Sequence, residues 1–179
     1  IAIGVFDGVH RGHQELIEAL VRDARAHGCK AVVVTFDPDP DVVVSPSPAQ
    51  KLMTTVDRLH ALAQTGVDAV VAVPFTPEVA ALDHVDFLSL VSRLVDIRSI
   101  RVGSDFRLGR GGASGVAEMR AWGSEHGVDV YGHDLLCEGG EAICATRIRH
   151  ELGQGHVELA AELLGRPYIV RGGVTRGRH

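Results

Sequence analysis

The chain has 179 residues, of which 45% are apolar and 23% charged, so it is long enough for one well-packed domain. Its net charge of −5 disfavours a surface built to attract nucleic acid, and any anion site must therefore be local. No apolar run reaches the roughly 20 residues of a membrane helix and no signal peptide is visible, although a start inside a strand predicts residues before Ile1. Three cysteines without a C-x-x-C pair are typical of free thiols in a reducing cytosol, so we predict a cytoplasmic protein.

The first thirteen residues combine a strand, a turn and the start of a helix. Residues 1–5 are an apolar run typical of a buried strand, and the helix that follows has one apolar face. Between them, His10 and His13 flank Gly12, which keeps the surface between the two rings open. A strand that enters a helix through such a turn gathers free N–H groups and the positive end of the helix dipole, which predicts phosphate binding.

The H-x-x-H spacing by itself leaves two alternatives open. A pair of surface histidines matches this spacing about as often as a phosphate site does, because short motifs occur by chance. A metal pair is the weaker alternative, since no third or fourth ligand follows at a typical spacing. We therefore predict no protein-bound metal.

Strand-like and helix-like stretches alternate along the rest of the chain. Four further apolar runs are predicted strands: 31–36, 67–75, 97–103 and 128–131. Helices are predicted to begin at Thr54, Asp83 and Ser114, and the second has Leu94 on its apolar face. This alternation predicts an α/β fold, a Rossmann-like parallel sheet with helices on both faces. Ligands bind beyond the carboxyl ends of such strands, so the loops there are candidates for the site.

Two of these loops contain residues suited to binding. The first, residues 35–40, holds Asp37 and Asp39 in a stiff segment made by two X-Pro units, although a rigid turn with solvated acids is the commoner meaning. The second, residues 103–115, contains five glycines and two arginines, which could wrap an anion, and Phe106 offers a flat apolar face. A flexible surface loop is the alternative for the second segment.

A third candidate is the start of a helix near residue 145. Thr146, Arg147 and Arg149 lie in its first turn, where cations oppose the helix dipole. A bound polyanion would explain that placement, and so would a surface ion pair.

Together these blocks resemble a known enzyme family. Residues 4–14, Gly-Val-Phe-Asp-Gly-Val-His-Arg-Gly-His-Gln, resemble the signature of the H-x-G-H nucleotidylyltransferases, and most closely that of the FMN adenylyltransferase module of bacterial bifunctional riboflavin kinase/FAD synthetases. Residues 103–109 and 143–149 also resemble segments of that module, with Cys144 and Ala145 in place of two family serines. In the 35–40 loop, Asp39 replaces a family histidine and would weaken anion binding if its side chain pointed inward.

The resemblance also implies a domain division. Residues 1–166 correspond to the adenylyltransferase module, and residues 167–179 to the start of a kinase domain that is truncated or absent. The Pro-Thr-Ala-Asn motif of that kinase is not present, so kinase activity is not predicted for these residues.

The activity implied by the resemblance is transfer of AMP from ATP to FMN, which gives FAD and pyrophosphate by direct in-line attack, with Mg²⁺ accompanying ATP. ATP and FMN are then the partners, without nucleic acid or membrane. The implied catalytic residues are His10, His13 and Arg147. The implied ATP-binding residues are Gly4, Phe6, Asp7, Gly8, His10, Gly12, His13, Gly103, Thr146, Arg147 and Arg149. The implied FMN-binding residues are Phe36, Asp37, Pro38, Asp105, Phe106, Arg107 and Gly109.

Two other functions remain open at this stage. One is a cytidylyltransferase of the same superfamily. The other is a degenerate module that binds a nucleotide or flavin without catalysis, which the replacements Asp39, Cys144 and Ala145 favour.

Overall fold

A computed structural model describes residues 1–173 and residue 177. Five parallel strands form one sheet in the order β3-β2-β1-β4-β5. They are β1 (Ala2–Ile3), β2 (Val32–Asp37), β3 (Ala69–Pro74), β4 (Ser99–Gly103) and β5 (Asp129–His133). A short antiparallel hairpin follows, formed by β6 (Cys137–Glu138) and β7 (Glu141–Ala142). The predicted α/β class and all five predicted strands are confirmed.

Eight helices connect and flank these strands within the described part of the chain. They are α1 (Arg11–Ala26), α2 (Pro40–Val44), α3 (Thr55–Ala63), α4 (Pro77–Ala80), α5 (His84–Ser92), α6 (Val116–His126), α7 (Ala145–Gly153) and α8 (Val157–Leu164). The predicted starts at Thr54 and Asp83 are confirmed, because each side chain accepts the N–H of the residue three positions later. None of the helices in residues 1–173 has the length and apolar content needed to cross a membrane.

The sheet is covered on both faces, as its continuous apolar strands predicted. Successive strand residues point to opposite sides, so Ala2 and Val33 pack with α1 and α3. Ile3 and Val34 pack on the other side with α5 and α6. A smaller apolar cluster joins α7 and α8 to Leu52 and Ile143.

Two details of the predicted helices are wrong. Ser114 does not cap α6, because Gly115 is the N-cap and its N–H is accepted by the Glu118 carboxylate at 2.7 Å. The Ser114 hydroxyl is instead 2.8 Å from the His84 ring. Leu94, predicted on the apolar face of the second helix, is 60% exposed. The reason is that α5 ends at Ser92, so Leu94 lies beyond the helix and does not share its buried face.

The central strand sets the position of the cleft. From β1 the chain runs to β2 and β3 on one side and then crosses back to β4 and β5 on the other, so a crevice opens at the carboxyl end of β1. The residues that follow β1 are those of the histidine turn, defined here as residues 6–13. The fold therefore places the most informative sequence motif at the switch point.

The end of the chain bears on the predicted domain boundary at residue 166. α8 ends at Leu164, and residues 167–173 form neither helix nor strand. Of the predicted kinase-domain start, residues 174–176 and 178–179 lie outside the described residues, so this boundary stays a prediction. Cys29, Cys137 and Cys144 are all free thiols, as predicted.

Candidate active site

The backbone of the histidine turn has an unusual conformation. Phe6, Gly8 and Val9 have φ angles of 57°, 79° and 40°. Side-chain-bearing residues adopt this left-handed region at a cost of roughly 1–2 kcal/mol each. Such strain persists only where the surrounding structure enforces it. The turn makes His10 the N-cap of α1 and brings His13 into the first helical turn.

The two imidazole rings form a stacked pair. Their centroids are 3.5 Å apart with an interplanar angle of 22°, and the Phe6 ring contacts His13 edge-on at 5.1 Å. The Nδ1 atoms of both histidines are buried and have no hydrogen-bond partner among the described residues. Buried polar atoms without partners are uncommon, and these two belong to rings that line a cavity.

Burial keeps this pair neutral. Burial, reinforced by the Arg166 guanidinium, lowers the pKa of His10 to about 4. Burial and the neighbouring His10 ring lower the pKa of His13 well below its usual range. At neutral pH each ring therefore has one N–H donor and one acceptor nitrogen. The pair can hydrogen-bond a phosphate but does not attract it as a cation.

The space around the rings is closely fitted. A Cβ on Gly12 would lie 3.3 Å from Nδ1 of His10 and 3.6 Å from the carbonyl oxygen of Ile143. A Cβ on Gly8 would lie 2.7 Å from a methyl group of Leu52. The two glycines therefore lie where neighbouring atoms leave little room for a side chain.

The start of α7 faces the histidine turn and is organised differently. Cys144 is its N-cap, and the thiol sulfur accepts the N–H of Arg147 at 3.5 Å. The Arg147 guanidinium donates to the carbonyl oxygens of Glu138 and Glu141 in the β6–β7 hairpin, both at 2.9 Å. Thr146 is exposed. Nε of the same guanidinium has no hydrogen-bond partner among the described residues, but lies 3.3 Å from the Glu141 carboxylate, so the hairpin holds this arginine.

Arg149 links the two helix ends. Its guanidinium donates to the Asp7 carboxylate at 2.7 Å and to the carbonyl oxygen of Gln50 at 2.6 Å. Asp7 is only 3% exposed and also accepts the N–H of Leu52 at 3.1 Å. The ion pair neutralises the buried carboxylate of the histidine turn.

A cavity of about 460 Å³ lies at these elements. It brings together predicted residues from three separate segments of the chain. Those that line it are Gly4, Phe6, Asp7, His10, Gly12, His13, Gly103, Asp105, Phe106 and Arg149. Those that do not are Gly8, Phe36, Asp37, Pro38, Arg107, Gly109, Thr146 and Arg147.

Several predicted FMN-binding residues have other contacts. Phe36 belongs to the sheet core, and Asp37 accepts the hydroxyl of Thr55 at 3.2 Å. A Cβ on Gly109 would lie 2.9 Å from the backbone nitrogen of His84, so this glycine allows a close chain approach. Arg107 is exposed. Their binding roles stay predictions.

Asp39 lines the cavity, but its charge is compensated. The carboxylate is 4% exposed and forms an ion pair with the buried Arg58. Lys51, which also lines the cavity, approaches it at 3.2 Å. The repulsion of an anion expected from an inward-pointing acid is therefore largely cancelled.

Sequence reasoning missed other residues at this site. His133 ends β5 and lines the cavity, and the strand-end rule applied to the other loops could have found it. Lys51 lies in a loop without a motif, so no local pattern identifies it. Among the described residues, no group of three or more His, Cys, Asp or Glu side chains could hold a metal ion.

The chain combines a parallel sheet with an H-x-G-H turn at the switch point of that sheet. This combination is typical of the nucleotide-binding enzyme domains that the sequence motifs predicted. Residues 1–147 match the sequence model of the family described as FAD synthetase. The chain belongs to this family, which confirms the resemblance and the nucleotidyltransferase class. This finding supports neither the cytidylyltransferase nor the degenerate module.

Similar proteins agree with this assignment. The chain is 35% identical, over 99% of its length, to the bifunctional riboflavin kinase/FMN adenylyltransferase of Escherichia coli (strain K12), and spans 57% of that protein. It is 34% identical to the putative bifunctional riboflavin kinase/FMN adenylyltransferase of Geobacillus thermodenitrificans, covering 93% of this chain and 89% of that protein. A crystal structure named macrolide-efflux protein, from Streptococcus pneumoniae, superposes with a TM-score of 0.84 at 25% identity, covering 97% of this chain and 60% of that one.

Proposed function

We propose that this chain transfers AMP from ATP to FMN and releases FAD and pyrophosphate. An oxygen of the FMN phosphate bonds to the α-phosphorus of ATP, while the bond from that phosphorus to the bridging oxygen breaks. Pyrophosphate leaves with the electron pair, and no covalent enzyme intermediate forms. Both reacting groups are phosphates, so the task of the protein is to position them and to stabilise charge.

The stacked pair of His10 and His13 is the observation that carries this proposal. Two neutral imidazoles with unpartnered Nδ1 atoms stand at a helix N-terminus, within a cleft at the end of β1. Neutral N–H groups and helix N–H groups suit phosphate oxygens that gain charge during transfer. The proposed role of the pair is to bind the α- and β-phosphates as pyrophosphate departs.

The other roles follow from position. We assign the β- and γ-phosphates to the start of α7, where Arg147 would exchange the hairpin carbonyls for phosphate oxygens. The flavin side is assigned to Asp105 and Phe106, which line the same cavity. Arg149 holds Asp7 and so removes a negative charge that would repel both substrates.

Mg²⁺ belongs to the proposal as an ion that arrives with ATP. Hard cations of this kind are held largely by substrate phosphates and water, with one or two carboxylates. Asp105 and Asp134 line the cavity and form no ion pair among the described residues, so they fit that requirement. The ion would neutralise phosphate charge, and the histidine turn would orient the groups that react.

The test is incubation of the chain with FMN, ATP and Mg²⁺, followed by chromatography of the flavins and an assay for pyrophosphate. We expect FAD and pyrophosphate in equal amounts. CTP in place of ATP, or riboflavin in place of FMN, should give no FAD, because the first lacks adenine and the second lacks the attacking phosphate. Binding of ATP by calorimetry without FAD formation would contradict the proposal.

A further inference from the structure

Arg166 contacts the histidine turn from a distant part of the chain. It follows α8, and its guanidinium donates to the carbonyl oxygens of Gly8 at 2.6 Å and Val9 at 3.2 Å. It also donates to the carbonyl oxygen of Leu164 at 3.3 Å. One side chain therefore joins the end of α8 to the turn that precedes α1.

The electrostatic setting of Arg166 is unusual for an arginine. It is half-buried, and burial lowers its pKa. It has no carboxylate partner among residues 1–173. A desolvated guanidinium without a counterion is unfavourable unless strong hydrogen bonds compensate, and here backbone carbonyls supply them. Its positive charge consequently stays beside the histidine turn instead of being neutralised.

The carbonyls that Arg166 holds belong to the strained part of the turn. Gly8 and Val9 have positive φ angles, and His10 follows directly. Gln14 ties the same region, because its amide nitrogen donates to the carbonyl oxygens of Val9 at 2.7 Å and Leu164 at 3.0 Å. A strained turn needs external bonds of this kind to keep one geometry.

We propose that Arg166 is a positioning residue for the transfer reaction, which fixes the turn that presents His10 by holding the carbonyl groups of Gly8 and Val9. This inference rests on the proposed function. Arg149 and Arg166 then both lie beyond residue 147, where the family match ends. Arg166 does not line the cavity, so it acts through the turn and does not touch substrate.

The first test compares Arg166→Gln with Arg25→Gln. Arg25 also donates to a backbone carbonyl, that of Gly66, but lies at the far end of α1. We expect Arg166→Gln to lower kcat about tenfold, with the KM for ATP changed by less than about threefold, because a displaced donor acts mainly in the transition state. Arg25→Gln should leave both constants close to those of the unchanged chain.

Arg166→Lys keeps the charge but cannot span both carbonyl groups with one ammonium. We expect it to recover part of the lost kcat. If Arg166→Gln does not fold, Arg166→Lys compared with Arg25→Lys decides the question, because a folded lysine variant with unchanged kcat would overturn the proposal.

A second readout is independent of turnover. The neighbours of His10 that carry or can gain charge are His13, stacked on it from α1, Arg166, and Asp7, which is paired with Arg149. NMR titration should find the pKa of His10 shifted in Arg166→Lys relative to Arg25→Lys, because the positive charge is kept and the contacts to the Gly8 and Val9 carbonyl groups are weakened. If the unchanged chain makes no FAD, the proposed function fails and the titration alone judges the positioning role. Unchanged His10 titration together with unchanged kcat would overturn the inference.

Discussion

Two helix N-termini meet at the cavity, and they are built in opposite ways. At α1, His10 and His13 are stacked in a strained turn and leave two buried nitrogen atoms without partners. At α7, Arg147 is bound to two carbonyl groups of the hairpin, and Arg149 is paired with Asp7. Among the residues that the structure describes, both rings at the first terminus have a buried nitrogen without a partner, whereas at the second only Nε of Arg147 lacks a hydrogen bond, and it lies 3.3 Å from the Glu141 carboxylate.

This difference predicts that the two helix termini contribute differently to catalysis and to ATP binding. A donor that is held in place before binding costs no reorganisation when charge develops, so its effect falls on the transition state. An arginine that is already bound to protein carbonyl groups must break those hydrogen bonds before it binds phosphate. The net gain in binding free energy is then only the difference between the phosphate and the carbonyl hydrogen bonds. We therefore expect the histidine turn to govern kcat and the start of α7 to govern ATP binding.

The largest effect is expected for His13→Ala. Loss of one preorganised donor should lower the rate constant of AMP transfer by about 100- to 1,000-fold. His60→Ala, which removes an exposed histidine on α3, is the matched control and should react at the normal rate. Rapid-quench measurement of FAD separates the two, and equal rates in both variants would show that the turn has no special role.

The pH dependence of stability tests whether His10 is as buried as the stacked geometry implies. Its pKa is about 4 when folded and near 6.5 when unfolded, so the unfolded chain binds the extra proton between these values. The free energy of unfolding should therefore decrease as pH falls through this window, by about 3 kcal/mol in total. In His10→Gln this part of the decrease should vanish when urea denaturation is followed against pH. An identical slope in both proteins would mean that the ring is solvated.

Gly8→Ala tests the enforced backbone of the turn, with Gly28→Ala as its control. Both glycines have positive φ, but a Cβ at Gly28 meets no atom within 4 Å, while a Cβ at Gly8 would collide with Leu52. We expect Gly28→Ala to cost about 1 kcal/mol and Gly8→Ala about 2–3 kcal/mol, since overpacking adds to the backbone strain. Urea midpoints measure the difference. A Gly8→Ala protein as stable as Gly28→Ala would show that the turn can relax.

Arg147→Gln tests the start of α7, where the arginine is bound to carbonyl groups of the hairpin. We expect ATP affinity to fall about tenfold, because one charge-assisted contact to phosphate is lost, while kcat changes less. Arg120→Gln, which removes an exposed arginine of α6 that donates to the Val130 carbonyl, serves as the control. Isothermal calorimetry gives the affinity. A large fall in kcat with unchanged ATP affinity would assign Arg147 to the chemical step instead.

The smallest effect is expected for Cys144→Ser. A hydroxyl is a better N-cap than a thiol, so α7 should gain about 0.5–1 kcal/mol and transfer should become up to about threefold faster. Cys137→Ser, at an exposed thiol in the hairpin, should change neither quantity. Thermal unfolding and the FAD assay measure both. A slower Cys144→Ser enzyme would show that the thiol contributes something that a hydroxyl cannot replace.

The sequence predicted the architecture and the histidine turn because both depend on local patterns. Apolar runs gave the strands, and the order of strand, turn and helix placed His10 and His13 at a cleft. Contacts between distant segments could not be foreseen in the same way. Arg166 reaches the turn across 157 residues, and the pairing of Asp39 with Arg58 depends on how α3 packs under the loop.

Asp39 illustrates the limit clearly. Its replacement of a family histidine predicted weaker anion binding if the side chain pointed inward. The carboxylate does line the cavity, but Arg58 and Lys51 neutralise it, and neither partner can be identified from the loop itself. The effect of a charged residue on anion binding therefore cannot be predicted until its ion-pair partners are known.

The most direct test of the division between the two helix termini is the single-turnover rate of FAD formation at saturating ATP, compared between His13→Ala and Arg147→Gln. Saturation removes any difference in ATP binding, so only the chemical step remains. We predict a rate at least about 100-fold below that of the unchanged chain for His13→Ala, and within about threefold of it for Arg147→Gln. Equal losses in the two variants, or a larger loss in Arg147→Gln, would contradict the account.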